Sequence, residues 1–177
     1  MNTIEFILGD ITHNHNVDAI VNAANTSLLG GGGVDGAIHR AAGPKLLEAC
    51  RSFGGCATGE ARTTEAFNLP CQYVIHTPGP IWHGGARGEA LLLQQCYTNC
   101  LKEAAIHNAR SVAFPSISTG VYHYPLDKAA SIAVKTVSDF WEAHPATFDR
   151  IIFVLFDITT FAAYQKAWDD LQEKVNL

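Results

Sequence analysis

Two patterns of apolar residues alternate along this chain, one typical of strands and the other typical of helices. Short apolar stretches, some of them alternating with polar residues, predict strands at 3–8, 17–21, 72–77, 111–115 and 151–156. Apolar residues repeated every three or four positions predict helices at 37–50 with an interruption at Gly43-Pro44, at 89–107, at 126–141, and in a last helix that buries Phe161, Tyr164, Trp168 and Leu171. The chain therefore alternates strands with helices.

This alternation predicts an α/β sandwich with a largely parallel sheet. The stretch 151–156 is almost wholly apolar, as in a strand buried on both faces. The polar residues 22–25 follow the stretch 17–21, at the carboxyl end of a strand, where open α/β sheets bind their ligands. No repeat or low-complexity linker divides the chain, so we expect a single domain over residues 1–177.

The composition narrows the class of protein. Hydrophobic residues make up 47% of the 177 residues and charged residues 16%, which is typical of a globular protein, and no apolar run is long enough to span a membrane. The first residues lack a basic stretch followed by an apolar one, so we expect no secretory signal and a cytoplasmic location. The net charge of −5 does not indicate nucleic-acid binding, so backbone N–H groups would have to hold any bound polyanion.

Two glycine-rich polar segments, 30–36 and 118–122, each lie between a predicted strand and a predicted helix. Four consecutive glycines at 30–33 let the backbone adopt positive φ and approach a ligand closely. We expect the two segments to hold phosphates with main-chain donors, aided by helix N-termini. The alternative is that both are tight turns packed against the sheet.

Other phosphate and catalytic motifs are absent from the sequence. Gly31-x-Gly33-x-x-Gly36 has the dinucleotide spacing, but 23–29 separates it from the strand and no second strand with a terminal acidic residue follows. There is no Gly-Lys-Ser/Thr tripeptide of a P-loop. The eight histidines lack the spacing of a metal site, and the five cysteines lie outside the glycine-rich segments without any C-x-x-C pair. We therefore expect reduced thiols, no metal and no cofactor.

Five blocks of the sequence follow one another in the order Gly9-Asp10-Ile11-Thr12, Val17 to Asn25, Gly30 to His39, Ile75 to Pro80 and Ser116 to Tyr122. Together they closely resemble the macrodomain family and its MacroD-type branch of O-acetyl-ADP-ribose deacetylases. The resemblance implies a three-layer α/β/α fold with a central mixed sheet, ADP-ribose as ligand, and hydrolysis of an ester on the distal ribose.

The resemblance also implies roles for single residues around the adenine. The carboxylate of Asp10 would accept a hydrogen bond from the adenine amino group, and the amide of Ile11 would meet the ring. Phe156 would stack on the adenine face. The alternatives are that Asp10 merely caps the turn that follows it and that Phe156 is a core aromatic.

The resemblance places the diphosphate between the two glycine-rich segments. Neutral main-chain donors suit an ionised ligand in an acidic protein. Either Tyr122 or Tyr124 would cover the phosphates or the distal ribose. The expected diphosphate-binding residues are Gly32, Gly33, Val34, Ser118, Thr119, Gly120, Val121 and Tyr122.

Asn25 and Asp35 are the residues to which the resemblance assigns the chemistry. The amide of Asn25 would orient the distal ribose and its acyl group, and the carboxylate of Asp35 would order the attacking water. The base is either Asp35 or an oxygen of the substrate's own phosphate. Asp35 is also an acid that the dipole of the following helix favours, and His39, four residues later, either contacts it or is simply packed.

The sequence therefore predicts a metal-independent hydrolase. It would release acetate from O-acetyl-ADP-ribose and also remove mono-ADP-ribose from acidic side chains of modified proteins. The alternatives are a non-catalytic ADP-ribose reader and a phosphatase acting on ADP-ribose 1″-phosphate. The expected partners are ADP-ribose derivatives and ADP-ribosylated proteins, with no membrane, and the sequence does not reveal whether a regulatory protein binds.

Overall fold

The computed structural model describes residues 2–176, which form a sheet covered by helices on both faces. The strands are β1 (Glu5–Leu8), β2 (Ala19–Ala24), β3 (Arg62–Glu65), β4 (Tyr73–Pro78), β5 (Ser111–Phe114) and β6 (Arg150–Leu155). The helices are α1 (Gly33–Ala42), α2 (Pro44–Arg51), α3 (Glu89–Ile106), α4 (Leu126–Ala143) and α5 (Ile158–Val175).

The six strands lie in the order β1-β6-β5-β2-β4-β3. Neighbouring strands are parallel except for β3, which pairs antiparallel with β4 at one edge. Because the parallel strands run the same way, β2, β4 and β5 present their carboxyl ends at one edge of the sheet. The expected three-layer α/β/α fold with a mixed, largely parallel sheet is confirmed.

The alternation of side chains along β6 explains how both faces are buried. Phe153 packs with Ile151 and Leu155 among the residues of α3, α4 and α5, and its ring lies 5.2 Å from that of Tyr164. Ile152 and Val154 point the other way, into the layer of α1 and α2. Both faces of β6 are therefore apolar, and this accounts for the continuous apolar run in the sequence.

The two largest differences in element boundaries concern β2 and α1, and one strand was not predicted. β2 continues through Ala24, so part of the polar segment 22–25 belongs to the strand. The first helix begins at Gly33 rather than at residue 37, and it ends where Gly43, at φ 90°, separates α1 from α2. β3 was not predicted, because its short sequence Arg-Thr-Thr-Glu is too polar to stand out as a strand.

Within residues 2–176, no helix is long and apolar enough to cross a membrane.

Candidate active site

A cleft of about 390 Å³ lies at the carboxyl ends of β2, β4 and β5, a volume within the usual range for small-molecule sites. One wall comes from the start of α1 and the other from the segment after β5. The residues that line the cleft are Ala23, Ala24, Asn25, Gly31, Gly32, Gly33, Val34, Asp35, Gly79, Ser116, Ser118, Gly120, Val121 and Tyr122. Both glycine-rich segments therefore meet at one cavity.

The first wall is the N-terminus of α1. The first N–H groups of a helix have no acceptor within the helix, and among the described residues no side chain caps those of α1 at Gly32. Gly30 and Gly33 adopt φ of 90° and 58°, which a residue with a Cβ rarely does. This glycine turn thus directs free backbone donors and the positive end of a helix dipole to the cleft.

The second wall is the segment that follows β5. Ser116 Oγ lies 2.6 Å from Thr119 Oγ1 and 2.8 Å from the hydroxyl of Tyr164. Because Tyr164 belongs to α5, this hydrogen bond joins the segment to that helix. Ser118 has a φ of 69°, and within residues 2–176 its buried Oγ has no hydrogen-bond partner. A buried hydroxyl without a protein partner is uncommon, and it makes Ser118 an unsatisfied polar group in this wall.

The end of β4 packs tightly against this second wall. A Cβ added to Gly79 would overlap Ser118 Oγ and would lie 2.6 Å from Ile117 Cγ2. Only glycine therefore lets the chain pass here. As a result, the position of the segment after β5 depends on its contact with the end of β4.

The two tyrosines of the second wall have different surroundings. Tyr122 is half-buried and lines the cleft, whereas Tyr124 is 3% exposed and packs on Trp82 with ring centroids 4.7 Å apart. The backbone N–H of Trp82 donates to the carbonyl of Tyr122 at 2.9 Å. Val121, 86% exposed, lies at the mouth of the cleft. Of the two tyrosines, the geometry thus favours Tyr122 as the one that covers a ligand.

Asn25 and Asp35 both line the cleft, and both side chains approach Gly31. A Cβ on Gly31 would lie 3.1 Å from Asp35 Oδ2 and 3.4 Å from Asn25 Nδ2. The Asn25 amide is oriented by the loop after β2: its Nδ2 donates to the carbonyl of Gly30 at 2.8 Å, and its Oδ1 accepts from the N–H of Leu28 at 3.1 Å. One hydrogen of the amide remains for a ligand.

The Asp35 carboxylate is buried and held from the side facing away from Gly31. Its Oδ1 accepts from Asn22 Nδ2 at 2.8 Å and lies 3.3 Å from His39 Nε2. The spacing of four residues between Asp35 and His39 therefore does bring the two side chains into contact. With Oδ1 occupied in this way, Oδ2 is the oxygen nearer to Gly31 and the cleft.

Sequence reasoning missed Asn22 and His76, which are fully buried behind Asp35. Asn22 Nδ2 lies 3.1 Å from His76 Nδ1, and His76 Nε2 lies 3.0 Å from Thr64 Oγ1. Burial, with the nearby His39 adding to it, lowers the pKa of His76 to about 3. The sequence did contain a signal for them: Asn22 and His76 are polar residues within the otherwise mainly apolar strands β2 and β4.

The residues expected around adenine lie at a neighbouring part of the same edge. β1 and β6 pair in register at Leu8 and Leu155, so Asp10 and Phe156 follow the ends of adjacent strands, but neither lines the cleft. Asp10 accepts from the Thr12 hydroxyl at 2.7 Å and from its N–H at 2.9 Å, which lowers the pKa of Asp10.

The sequence left two alternatives open for the adenine residues: that Asp10 merely caps a turn and that Phe156 is a core aromatic. Asp10 does cap the turn that follows it through Oδ1, while its Oδ2 lies 3.7 Å from His13 Nε2. Phe156 is 79% exposed and is not a core aromatic. Ile11 is 4% exposed and packs with its side chain in the core, so only its backbone can face a ligand. Adenine binding by these residues stays a prediction.

Thiols and metal ions are two other groups that could support hydrolysis. Within residues 2–176, no group of three or more His, Cys, Asp or Glu side chains is placed to hold a metal ion. Burial raises the pKa of Cys50, Cys71 and Cys96 to about 11, so these thiols are protonated at neutral pH. None of the residues that line the cleft is a cysteine.

Sequence comparison finds relatives that match nearly the whole chain. The sequence model of the Macro domain family matches residues 21–133. A Macro domain-containing protein of Chlorobaculum tepidum is 60% identical over 164 residues, which cover 93% of this chain and 94% of that protein. A Klebsiella pneumoniae protein named O-acetyl-ADP-ribose deacetylase is 57% identical over 166 residues, which cover 92% of this chain and 94% of that protein.

Solved structures are similar over the same extent. A macrodomain of Oceanobacillus iheyensis, solved with ADP, matches with a TM-score of 0.91 and 44% identity, covering 98% of this chain and 93% of that chain. A Trypanosoma brucei macrodomain, solved in complex with ADP-ribose, matches with a TM-score of 0.86 and 45% identity, covering 92% of this chain and 68% of that chain.

Proposed function

This chain belongs to the macrodomain family, and from that premise we propose that it binds ADP-ribose and hydrolyses acyl esters on the distal ribose. Its substrate is O-acetyl-ADP-ribose, and its products are ADP-ribose and acetate. The same reaction removes mono-ADP-ribose from the acidic side chains of modified proteins, because both substrates carry an acyl ester on the same sugar. Neither reaction requires a metal or a cofactor.

In this proposal the two walls of the cleft hold the diphosphate. The N-terminus of α1 at Gly32, Gly33 and Val34 supplies backbone donors from one side. The segment of Ser118, Thr119, Gly120, Val121 and Tyr122 supplies the other side. Hydrogen bonds to an ionised acceptor are the stronger kind, so a binding site made of neutral amides can hold an anion.

The distal ribose then lies beside Asn25 and Asp35. Asp35 orders a water molecule whose oxygen attacks the acyl carbonyl carbon, and Asn25 orients the sugar and the acyl group. The bond between that carbon and the ribose oxygen breaks, the ribose oxygen takes up a proton, and acetate leaves. The proton of the water passes either to Asp35 or to a phosphate oxygen of the substrate.

One observation carries this proposal. The Asn25 amide and the Asp35 carboxylate both approach Gly31, in the same cleft that is lined by the uncapped start of α1. A site that only binds ADP-ribose has no need of a carboxylate beside an anionic ligand. This placement favours the hydrolase over the reader.

The test measures turnover and binding separately. Purified protein is incubated with O-acetyl-ADP-ribose, or with ADP-ribosylated protein, in the presence of EDTA, and acetate and ADP-ribose are measured. We expect the wild type to turn over, and Asp35→Ala and Asn25→Ala to lower kcat by about a hundredfold or more while ADP-ribose affinity changes little.

A matched control is Asp127→Ala, which removes another first-turn aspartate, that of α4, outside the cleft. It should leave kcat unchanged. Binding of ADP-ribose without release of acetate would instead identify a reader, and loss of turnover in EDTA would indicate a metal. Release of phosphate from ADP-ribose 1″-phosphate would favour the phosphatase.

A further inference from the structure

A row of buried polar side chains crosses three adjacent strands behind Asp35. Asn22 lies on β2, His76 on β4 and Thr64 on the edge strand β3. The first two are 0% exposed and Thr64 is 7% exposed. Asn22 and His76 are register partners, whereas Thr64 pairs with Val74, two residues before His76. Only pairing of the strands brings these residues together.

The distances link the row into one chain of hydrogen bonds. Asn22 Nδ2 lies 2.8 Å from Asp35 Oδ1 and 3.1 Å from His76 Nδ1. An amide nitrogen has two hydrogens to donate and cannot accept, so His76 Nδ1 must be the acceptor of the second bond. A neutral imidazole that accepts at Nδ1 carries its hydrogen on Nε2. That hydrogen points to Thr64 Oγ1 at 3.0 Å.

The ring is neutral in the folded protein. Burial is the main cause that lowers the pKa of His76 to about 3, and the neighbouring His39 acts in the same direction. Two tautomers therefore remain, and a threonine hydroxyl can serve either, because it can accept from an N–H or donate to a bare ring nitrogen. Since Asn22 donates to Nδ1, Thr64 Oγ1 is the acceptor, and it satisfies an Nε2 hydrogen that would otherwise be buried without a good acceptor. Cys50 Sγ is the other polar atom near Nε2, at 3.7 Å, and is a much weaker acceptor.

The tautomer matters for Asp35 because it determines which way the Asn22 amide faces. With hydrogen on Nδ1, the ring would direct a donor at the amide nitrogen, and the amide would have to turn over to offer its oxygen. The oxygen of Asn22 and the carboxylate of Asp35 are both acceptors, so the bond that orients Asp35 could not then form.

We propose that Thr64 and His76 are positioning residues for the hydrolysis. By fixing the tautomer of His76, they hold the amino group of Asn22 toward Asp35 and so keep the carboxylate aimed at the cleft. The effect on turnover rests on the proposed function, whereas the tautomer itself does not. If the row merely stabilises the sheet, its loss should lower stability and leave the kinetics of the folded protein unchanged.

The first experiment compares Thr64→Val with Thr64→Ser and with Thr77→Val. Thr77 is a matched control because it is a fully buried threonine of β4 whose hydroxyl donates to the carbonyl of Glu60, away from Asp35. We expect Thr64→Val to lower kcat for O-acetyl-ADP-ribose at least tenfold with ADP-ribose affinity within about twofold, because small misplacements of a catalytic group are costly. Thr64→Ser should restore most of the turnover, and Thr77→Val should leave it unchanged.

The second experiment reads the tautomer from the ¹⁵N chemical shifts of the His76 ring in the wild type and in Thr64→Val, and it does not depend on turnover. We expect hydrogen on Nε2 in the wild type and a mixture of tautomers in Thr64→Val. Hydrogen on Nδ1 in the wild type would overturn the inference, and so would equal kcat values for folded Thr64→Val and Thr77→Val. If the wild type releases no acetate, the proposed function fails. The tautomer still tests the role of Thr64 in that case, and an unchanged tautomer in Thr64→Val would overturn the inference.

Discussion

At the scale of single residues, Gly31 is the backbone position that lies beside the two proposed catalytic side chains, Asp35 and Asn25. An alanine there would place a Cβ 3.1 Å from Asp35 Oδ2, closer than ordinary contacts allow. The buried carboxylate has no room to yield, because Asn22 and His39 contact its other oxygen. We predict that Gly31→Ala lowers kcat for O-acetyl-ADP-ribose by about tenfold to a hundredfold, while the strain costs about 1–3 kcal/mol of stability.

Acetate release and urea unfolding measure these two effects. The control is Gly9→Ala, whose Cβ would meet only Ile7 Cγ2 at an ordinary 3.8 Å and which lies outside the cleft. It should keep the wild-type kcat. Equal turnover by Gly31→Ala and the wild type would show that Asp35 does not need its present position.

At the scale of elements, the start of α3 holds the loop that precedes it. The buried carboxylate of Glu89 accepts backbone N–H bonds from His83 at 2.9 Å, Gly85 at 2.9 Å and Arg87 at 2.6 Å. Burial by itself would raise the pKa of Glu89, but these bonds outweigh it and lower the pKa to about 2. The loop begins beside Trp82, which bonds to Tyr122 of the cleft, so Glu89 supports the second wall indirectly.

This geometry predicts a pH dependence of stability. The pKa of Glu89 is about 2 in the folded protein and 4.5 as its ordinary value, so the ionised form is favoured by folding. Its stabilisation is present above pH 4.5 and is lost as the pH falls toward 2. The stability difference between the wild type and Glu89→Gln, measured by urea unfolding, should therefore be largest above pH 5 and should shrink on acidification.

A stability difference that stays constant from pH 6 to pH 2.5 would contradict this account. The control is Glu173→Gln, which changes a carboxylate near the end of α5 for which no hydrogen bond is found within residues 2–176. Its effect on stability at pH 6 should be much smaller than that of Glu89→Gln.

At the scale of the whole molecule, an acidic protein is proposed to bind an anion. The net charge is −5, and none of the described residues that line the cleft is lysine or arginine. Attraction would then come from short hydrogen bonds to backbone amides, which salt screens much less than interactions between exposed charges.

We predict that raising NaCl from about 0.1 M to about 1 M weakens ADP-ribose binding by less than about twofold, measured by calorimetry, although the Debye length falls from about 10 Å to about 3 Å. Adenosine, which carries no phosphate, is the control for effects of salt that do not involve charge. A tenfold loss of affinity would mean that exposed cations hold the phosphates.

The sequence by itself determined most of the helices and strands. The spacing of apolar residues is a local property, and it indicates which side of each element is buried. The apolar run of β6 and the three- and four-residue spacing of α3 predicted both elements with errors of one residue at their ends. Motif order indicated the macrodomain family, and glycine-rich spacing indicated a ligand site at the ends of strands. β3 lay beyond this reasoning, because pairing with β4 rather than its own pattern makes it a strand.

Only the tertiary structure decided which polar side chains meet. Tyr122 and Tyr124 look alike in the sequence, yet one lines the cleft and the other packs against Trp82. Asn22, His76 and Thr64 come from strands far apart in the chain, and their hydrogen bonds depend on strand order and register. Order and register are set by the packing of the whole sheet, so no local pattern contains them.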